Sequence, residues 1–307
     1  MEEKKLVLIG LPESGKTTIS EVISKGKDPI ELLKQPLKPT KSLSVSDHCW
    51  LDINCIIFDT AGQNYQNIFK DENKQSKIFG EAVYIIYLID YRLWSKEKTQ
   101  ERMIKDIETL KNILEERQYS SELLIFFHKI DLIEDSNRET YIKSVRESFE
   151  ARELKIFFTS IHPDFIFSLY SSFYKILSLF SDKRKIIKDV LDEYLEDQSK
   201  TIFYVTNNNN TIVGLAMSPD FDIKSIEGTY NLAAQLNLTL EKLKSNDIIN
   251  HLMLQTINGL NVIMNYLDLY EDDMKNLICI SETLKSNDLI WKAGKMVTEL
   301  RKKIRFK

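Results

Sequence analysis

Two rhythms of apolar and polar positions divide the chain. Up to about residue 180, apolar runs of strand length alternate with stretches whose apolar residues recur every three or four positions. The pattern predicts strands at 5–9, 49–52, 54–59, 82–90, 123–128 and 155–159. It predicts helices at 16–24, 97–116, 138–151 and 165–180. Such alternation implies an α/β fold with a mostly parallel sheet and helices on both faces, in which ligands bind at the carboxyl ends of the strands. Beyond about residue 182 the rhythm changes. A helix is expected at 183–197, with Ile186, Ile187, Val190, Leu191, Tyr194 and Leu195 on one side. Strands 202–206 and 211–217 flank the run Asn207-Asn208-Asn209-Asn210, whose residues tolerate the left-handed angles of a tight turn. A helix at 225–243 precedes strands 248–256 and 260–268, which meet at Asn258-Gly259; a strand at 276–281 and a helix at 288–303 follow. The order α-β-β-α-β-β-β-α describes a second, α+β domain, so the expected division is 1–182 and 183–307.

Composition narrows the chemistry. The chain has 307 residues, 43% of them hydrophobic, enough for two domains with their own cores. A net charge of −4 and a pI near 5.8 give no electrostatic reason to expect nucleic acid or an anionic membrane as partner. Cys49, Cys55 and Cys279 form no C-x-x-C pair, which points to a reducing, cytoplasmic setting. His48 beside Cys49 lacks the further ligands a metal site needs. The opening Met-Glu-Glu-Lys-Lys does not resemble a secretory signal, Glu2 stands where myristoylation requires glycine, and the closing Lys-Ile-Arg-Phe-Lys has no prenylation cysteine. No apolar run approaches the ~20 residues of a membrane span. Membrane residence is therefore expected only through a partner.

The chemistry begins at Gly10-Leu11-Pro12-Glu13-Ser14-Gly15-Lys16-Thr17, directly after the apolar run Leu6–Ile9. This is a strand entering a phosphate loop. Gly10 and Gly15 permit the backbone angles that turn the N–H groups of the segment, from Glu13 and Ser14 through Thr18, around phosphates. Lys16 reaches the β- and γ-phosphates, Thr17 offers a hydroxyl to Mg²⁺, and the helix that starts there adds its positive end. Asp59-Thr60-Ala61-Gly62-Gln63 ends a predicted strand. Asp59 can hold Mg²⁺ through water, the Gly62 N–H can approach the γ-phosphate, and Gln63 can orient the attacking water. Thr40 is the one threonine between Ile19 and Phe58, and it supplies the hydroxyl that a nucleotide switch releases with the γ-phosphate. After the strand 123–127, His128-Lys129-Ile130-Asp131 places a carboxylate that accepts from N1–H and the exocyclic amine of guanine. Adenine has no matching donors and would leave that charge unpaired. Lys129 lays its aliphatic stem along the ring. In Thr159-Ser160-Ile161, the Ser160 N–H can meet the guanine O6, while His162 reads as a surface residue.

In this order the motifs resemble those of a Ras-superfamily GTPase. Phe127-His128-Lys129-Ile130-Asp131-Leu132, with histidine where asparagine is usual, and Thr159-Ser160-Ile161 with the helix after it are similar to segments of the Rag/Gtr family. The resemblance implies GTP or GDP with Mg²⁺ as cofactors, held by the residues named above. It also implies a C-terminal roadblock (longin-like) domain that pairs two chains, so a second roadblock-containing GTPase is the expected partner. Three departures stand out. Pro12-Glu13 puts a carboxylate near the phosphates. Asp59-Thr60-Ala61-Gly62-Gln63 has the Ras form rather than Asp-x-Gly-Gly-Gln. No arginine precedes Arg92, and the loop after Arg92 is expected elsewhere on the fold, so an activating protein is expected to supply one for fast hydrolysis. Two alternatives stay open: a dimeric scaffold with a structural nucleotide, disfavoured by Gln63, and an ATPase or kinase, disfavoured by Asp131.

Overall fold

The structure, a computed structural model, describes residues 2–35, 43–61, 65–222, 250–269, 271 and 273–305, without the side chains of Glu2 and Cys49. It separates into two compact units, residues 1–48 with 54–169 and residues 49–53 with 170–307.

The first sheet is mostly parallel and runs in the order β2-β3-β1-β4-β5-β6. Its strands are β1 Glu2–Gly10, β2 Ser44–Trp50, β3 Ile53–Asp59, β4 Ala82–Asp90, β5 Glu122–His128 and β6 Lys155–Thr159. The helices of this unit are α1 Lys16–Lys25, α2 Pro29–Lys34, α3 Gln66–Lys70, α4 Glu72–Phe79, α5 Tyr91–Trp94, α6 Glu97–Glu116 and α7 Asp135–Glu150; α8 Ile166–Leu177 starts here, and from residue 170 on it belongs to the second unit. The central strands are apolar on both faces because helices cover them: Leu6–Ile9 and Ile85–Ile89 have no exposed surface. On α6 the apolar spacing Met103, Ile107, Leu110 and Leu114 gives one buried stripe in the same core.

Two features depart from the sequence expectation. β2 starts at Ser44 rather than 49, because Ser44, Val45 and Asp47 are exposed and leave no apolar alternation to announce them. The short helices α2 to α5 were not expected. α2 has Pro29 at its first position and Asp28 as cap, accepting from the Ile30 N–H at 2.9 Å. In α4, Asp71 accepts from the N–H groups of Asn73 and Lys74 at 3.1 and 3.2 Å. In α2, α4 and α5 a side-chain cap, rather than an apolar stripe, marks the start, whereas α3 has no such cap.

The second unit holds an antiparallel sheet ordered β8-β7-β11-β10-β9. Its elements are α9 Asp182–Leu195, β7 Thr201–Thr206, β8 Ile212–Met217, β9 His251–Gln255, β10 Asn261–Leu269, β11 Met274–Ser281 and α10 Ser286–Arg305. α9 packs on β7 and β8, and α10 packs on β10, β11 and α9. The β7–β8 turn is organised by Asn207, whose Oδ1 accepts from the N–H groups of Asn209 and Thr211 at 3.0 and 2.9 Å. The β9–β10 turn uses Gly259 at φ +92°. The helix expected at 225–243 lies outside the described residues. Among the described residues no helix is long and apolar enough to cross a membrane.

Residues 49–53, the end of β2, the turn after it and the first residue of β3, belong to this second unit. Asp52 Oδ2 accepts from the N–H groups of Asp182 and Lys183 at 3.0 and 3.2 Å, and its Oδ1 accepts from the Ser181 hydroxyl. Ser181 Oγ in turn accepts from the Arg184 N–H at 3.1 Å. The first three orphan amides of α9 are thereby satisfied by two side chains. Asp52→Ala is expected to destabilise the second unit by about 1–2 kcal/mol. It should also speed amide hydrogen exchange at Asp182 and Lys183; unchanged exchange there contradicts the cap.

Candidate functional site

β1 leads into the phosphate-loop segment, and the two glycines there are fixed by what lies beside them. Gly10 has φ +148°, and a Cβ on it would strike the carbonyl oxygen of Leu88, its register partner on β4. Gly15 has φ +102°, and a Cβ there would lie 2.6 Å from Cδ2 of His128. Glu13, exposed at φ +62°, adopts a left-handed angle that a non-glycine residue takes at a cost. Lys16 is buried, and its Nζ donates to the carbonyls of Gly10 and Leu11 at 3.1 and 2.8 Å and to Ser14 Oγ at 3.2 Å. Burial lowers its pKa to about 8; Asp59 opposes the shift and Lys129 adds to it. An anion in the cradle restores the ammonium. Thr18 is half-buried on the first turn of α1.

At the end of β3, Asp59 is buried and accepts from Thr17 Oγ1 at 2.5 Å. Its place is set by Thr60, whose N–H and hydroxyl both donate to the Leu8 carbonyl, at 3.2 and 2.9 Å. A hydroxyl and a carboxylate under a phosphate loop are the hard oxygen donors Mg²⁺ takes together with phosphate and water, so the residues fit that ion. No cluster of three or more His, Cys, Asp or Glu residues suited to a metal occurs among the described residues. Thr40, Gly62 and Gln63 lie outside the described residues. At Tyr65 the hydroxyl donates to Asp106 of α6, which also accepts from Tyr87 at 3.0 Å.

The predicted base-reading residues come together at the ends of β5 and β6. The register pairs His128 with Thr159, and His128 Nδ1 lies 3.0 Å from Thr159 Oγ1. Burial, then the charge of Lys129, lowers the His128 pKa to about 3, so the ring is neutral. Asp131 Oδ1 accepts from the Ser160 hydroxyl at 2.5 Å, and Ser160 Oγ accepts from the His162 N–H at 2.8 Å. Ile161 is buried beside them. Arg138 fastens the segment with bonds to the carbonyls of Ile130 and Ile133 at 3.2 and 2.7 Å. His162 caps a short turn, accepting from the Asp164 N–H at 3.3 Å.

Sequence reasoning missed two residues. Asp90 closes β4 and is 1% exposed. It accepts from the N–H, Nε and Nη2 of Arg92 at 2.9, 3.0 and 2.6 Å, and from Lys129 Nζ at 2.8 Å. Burial pushes its carboxyl up, but the Arg92 and Lys129 bonds outweigh that and hold it below the usual range. Lys129, at φ +64°, also donates to the Glu13 carbonyl at 2.7 Å. Arg92 is therefore joined to the phosphate loop through Asp90 and Lys129, closer to the site than the sequence suggested. The signal available was a charged residue ending an apolar run at the ligand-binding end of the sheet.

No curated protein matches the chain. Residues 5–236 match the conserved region of Gtr1/RagA G proteins, well over half of the sequence. The chain belongs to the Gtr1/RagA family of G proteins.

Proposed function

We propose that the protein is a molecular switch that binds GTP or GDP with Mg²⁺, hydrolyses GTP slowly by itself, and pairs through its C-terminal domain with a second GTPase chain. Family membership supports guanine-nucleotide binding and GTPase activity in general. The finer reading is carried by Lys129. One side chain joins the phosphate loop, through the Glu13 carbonyl at 2.7 Å, to the segment two residues before Asp131. A base reader and a phosphate cradle thus share one rigid contact, an arrangement suited to a guanine nucleotide.

In this reading Gly10, Glu13, Ser14, Gly15, Lys16, Thr17 and Thr18 cradle the phosphates, and Lys16 neutralises charge on the β- and γ-oxygens. Thr17, Asp59 and Thr40 would hold Mg²⁺, which would supply electrostatic stabilisation of the transferred phosphoryl group. Gly62 approaches the γ-phosphate and Gln63 orients water. His128, Lys129, Asp131, Ser160 and Ile161 enclose the base. The first arginine, Arg92, is occupied by Asp90, so an activating protein supplies the charge for fast turnover. Residues 1–182 form the GTPase module and 183–307 the roadblock-like module. Among the described residues the second unit's sheet ends in β8 and β9, and α10 leaves Trp291 59% exposed, features that suit pairing.

Stripped protein should take up GTP and GDP by calorimetry while ATP gives no comparable heat, and Lys16→Ala should abolish binding; equal uptake of ATP sinks the reading. Because phosphate favours the ammonium and the free Lys16 titrates near 8, binding above that pH should absorb protons and affinity should fall as pH rises. Buffers of different ionisation enthalpy read the uptake.

Single-turnover hydrolysis should proceed at about 10⁻⁴ to 10⁻³ s⁻¹. Gln63→Leu should suppress it without loss of binding. Equal rates in the two proteins favour the scaffold with a structural nucleotide.

Light scattering of the full chain, alone and with other roadblock-containing GTPases, tests pairing. A monomer under every mixture and concentration contradicts it.

A further inference from the structure

We propose that Asp90 is a positioning residue for nucleotide binding: it aims the Lys129 side chain and, through it, locks the phosphate loop to the base-reading segment. The inference rests on the guanine-nucleotide reading above and adds to it a residue outside the recognised motifs.

The geometry is a relay of donors and acceptors. Arg92 grips Asp90 with Nε at 3.0 Å from one carboxylate oxygen and Nη2 at 2.6 Å from the other, and its backbone N–H adds a third bond at 2.9 Å. A carboxylate held in this fork cannot turn. The oxygen facing Nη2 also accepts from Lys129 Nζ at 2.8 Å, which fixes the ammonium from one side, while the Glu13 carbonyl fixes it from the other at 2.7 Å. Lys129 keeps only a quarter of its side chain exposed. With its end tethered at two points, the aliphatic stem is held as a flat wall against which a base can lie.

Charge gives a second reason for the carboxylate. Without it, Lys129 and Arg92 would be like charges in one partly buried corner, with Lys16 close enough to Lys129 to feel its field. Asp90 neutralises that repulsion at the end of the sheet, where the phosphate loop must stay in place. A simpler role is also visible, because Asp90 is the N-terminal cap of α5. Capping affects stability alone and is independent of Lys129; positioning acts only through Lys129. The two roles therefore differ in additivity.

The test uses the full chain loaded with N-methylanthraniloyl-GDP and follows its release into excess GDP. The proteins are wild type, Asp90→Ala, Asp90→Asn, Lys129→Ala and the Asp90→Ala/Lys129→Ala pair. Loss of a buried charge-assisted bond predicts release about 10- to 100-fold faster in Asp90→Ala. Asp90→Asn retains an acceptor for the Arg92 N–H and should fall between Asp90→Ala and wild type. The double variant should release no faster than Lys129→Ala alone. If Asp90→Ala does not fold, the same comparison is made with Asp90→Asn, singly and paired with Lys129→Ala. Unchanged release from a folded Asp90 variant, or multiplying effects in the double variant, overturns the positioning role and leaves the nucleotide reading intact. Wild-type protein that retains no GDP overturns both.

Discussion

The parallel register of the first sheet is the constraint on which the site depends. Gly10 stands opposite Leu88, and two residues further along β4 Asp90 stands opposite His128, which stands opposite Thr159. Asp90, His128 and Thr159 thus form one row across three strand ends. A slip of one residue in any pairing would turn those side chains to the other face. The apolar runs prevent the slip. Leu6–Ile9, Ile85–Ile89 and Leu124–Phe127 are fully buried, so a shift would give up packing along an entire strand. Burial of inert side chains is what positions the polar ones.

That dependence explains which parts of the site could be read in the sequence. Lys16, Thr17, Asp59 and Asp131 sit at fixed spacing from apolar runs, so local pattern sufficed to place them at or just after the ends of β1, β3 and β5. Strands 82–90 and 155–159 and helix 97–116 coincide with β4, β6 and α6 for the same reason. Asp90 and Arg92 belong to a different class. Asp90 meets Lys129 across 39 positions, and Lys129 meets Glu13 across 116. No periodicity encodes such contacts; they exist only once the register has been set. The short helices α2 to α5 were missed because too few apolar residues follow their starts to make a stripe, and only α2, α4 and α5 carry a side-chain cap.

The turn between β2 and β3 shows a similar limit in the second unit. Nothing in Trp50-Leu51-Asp52 suggests company with residues far downstream. Yet Trp50 lies 6.4 Å from the Tyr174 ring, the Leu51 N–H donates to Asp273 at 3.3 Å, and Asp52 caps α9. Asp273 also accepts from Asn207 Nδ2 at 3.1 Å, and burial raises its pKa to about 6 despite these bonds. A carboxyl group taken this far out of water is retained because it ties the Asn207 turn to a segment distant in sequence. Strand and helix order in this unit follow from apolar runs and turn residues, whereas this tie follows from neither.

His128 unites steric and electrostatic control of the first unit's site. Its ring fills the space beside Gly15 so closely that a single methyl group on that glycine would collide with it. An imidazole is bulkier than a carboxamide, and here it braces the phosphate loop sideways while its Nδ1 rests on Thr159. Were the ring charged, it would add a cation to a corner already holding Lys16, Lys129 and Arg92. Burial and Lys129 keep it neutral, with a pKa near 3. Protonation at neutral pH is therefore disfavoured, and the neutral ring acts by shape and hydrogen bonding. Of the other charges in this corner, Asp90 binds both Arg92 and Lys129, Lys16 is held by the Gly10 and Leu11 carbonyls, and Asp59 accepts from Thr17.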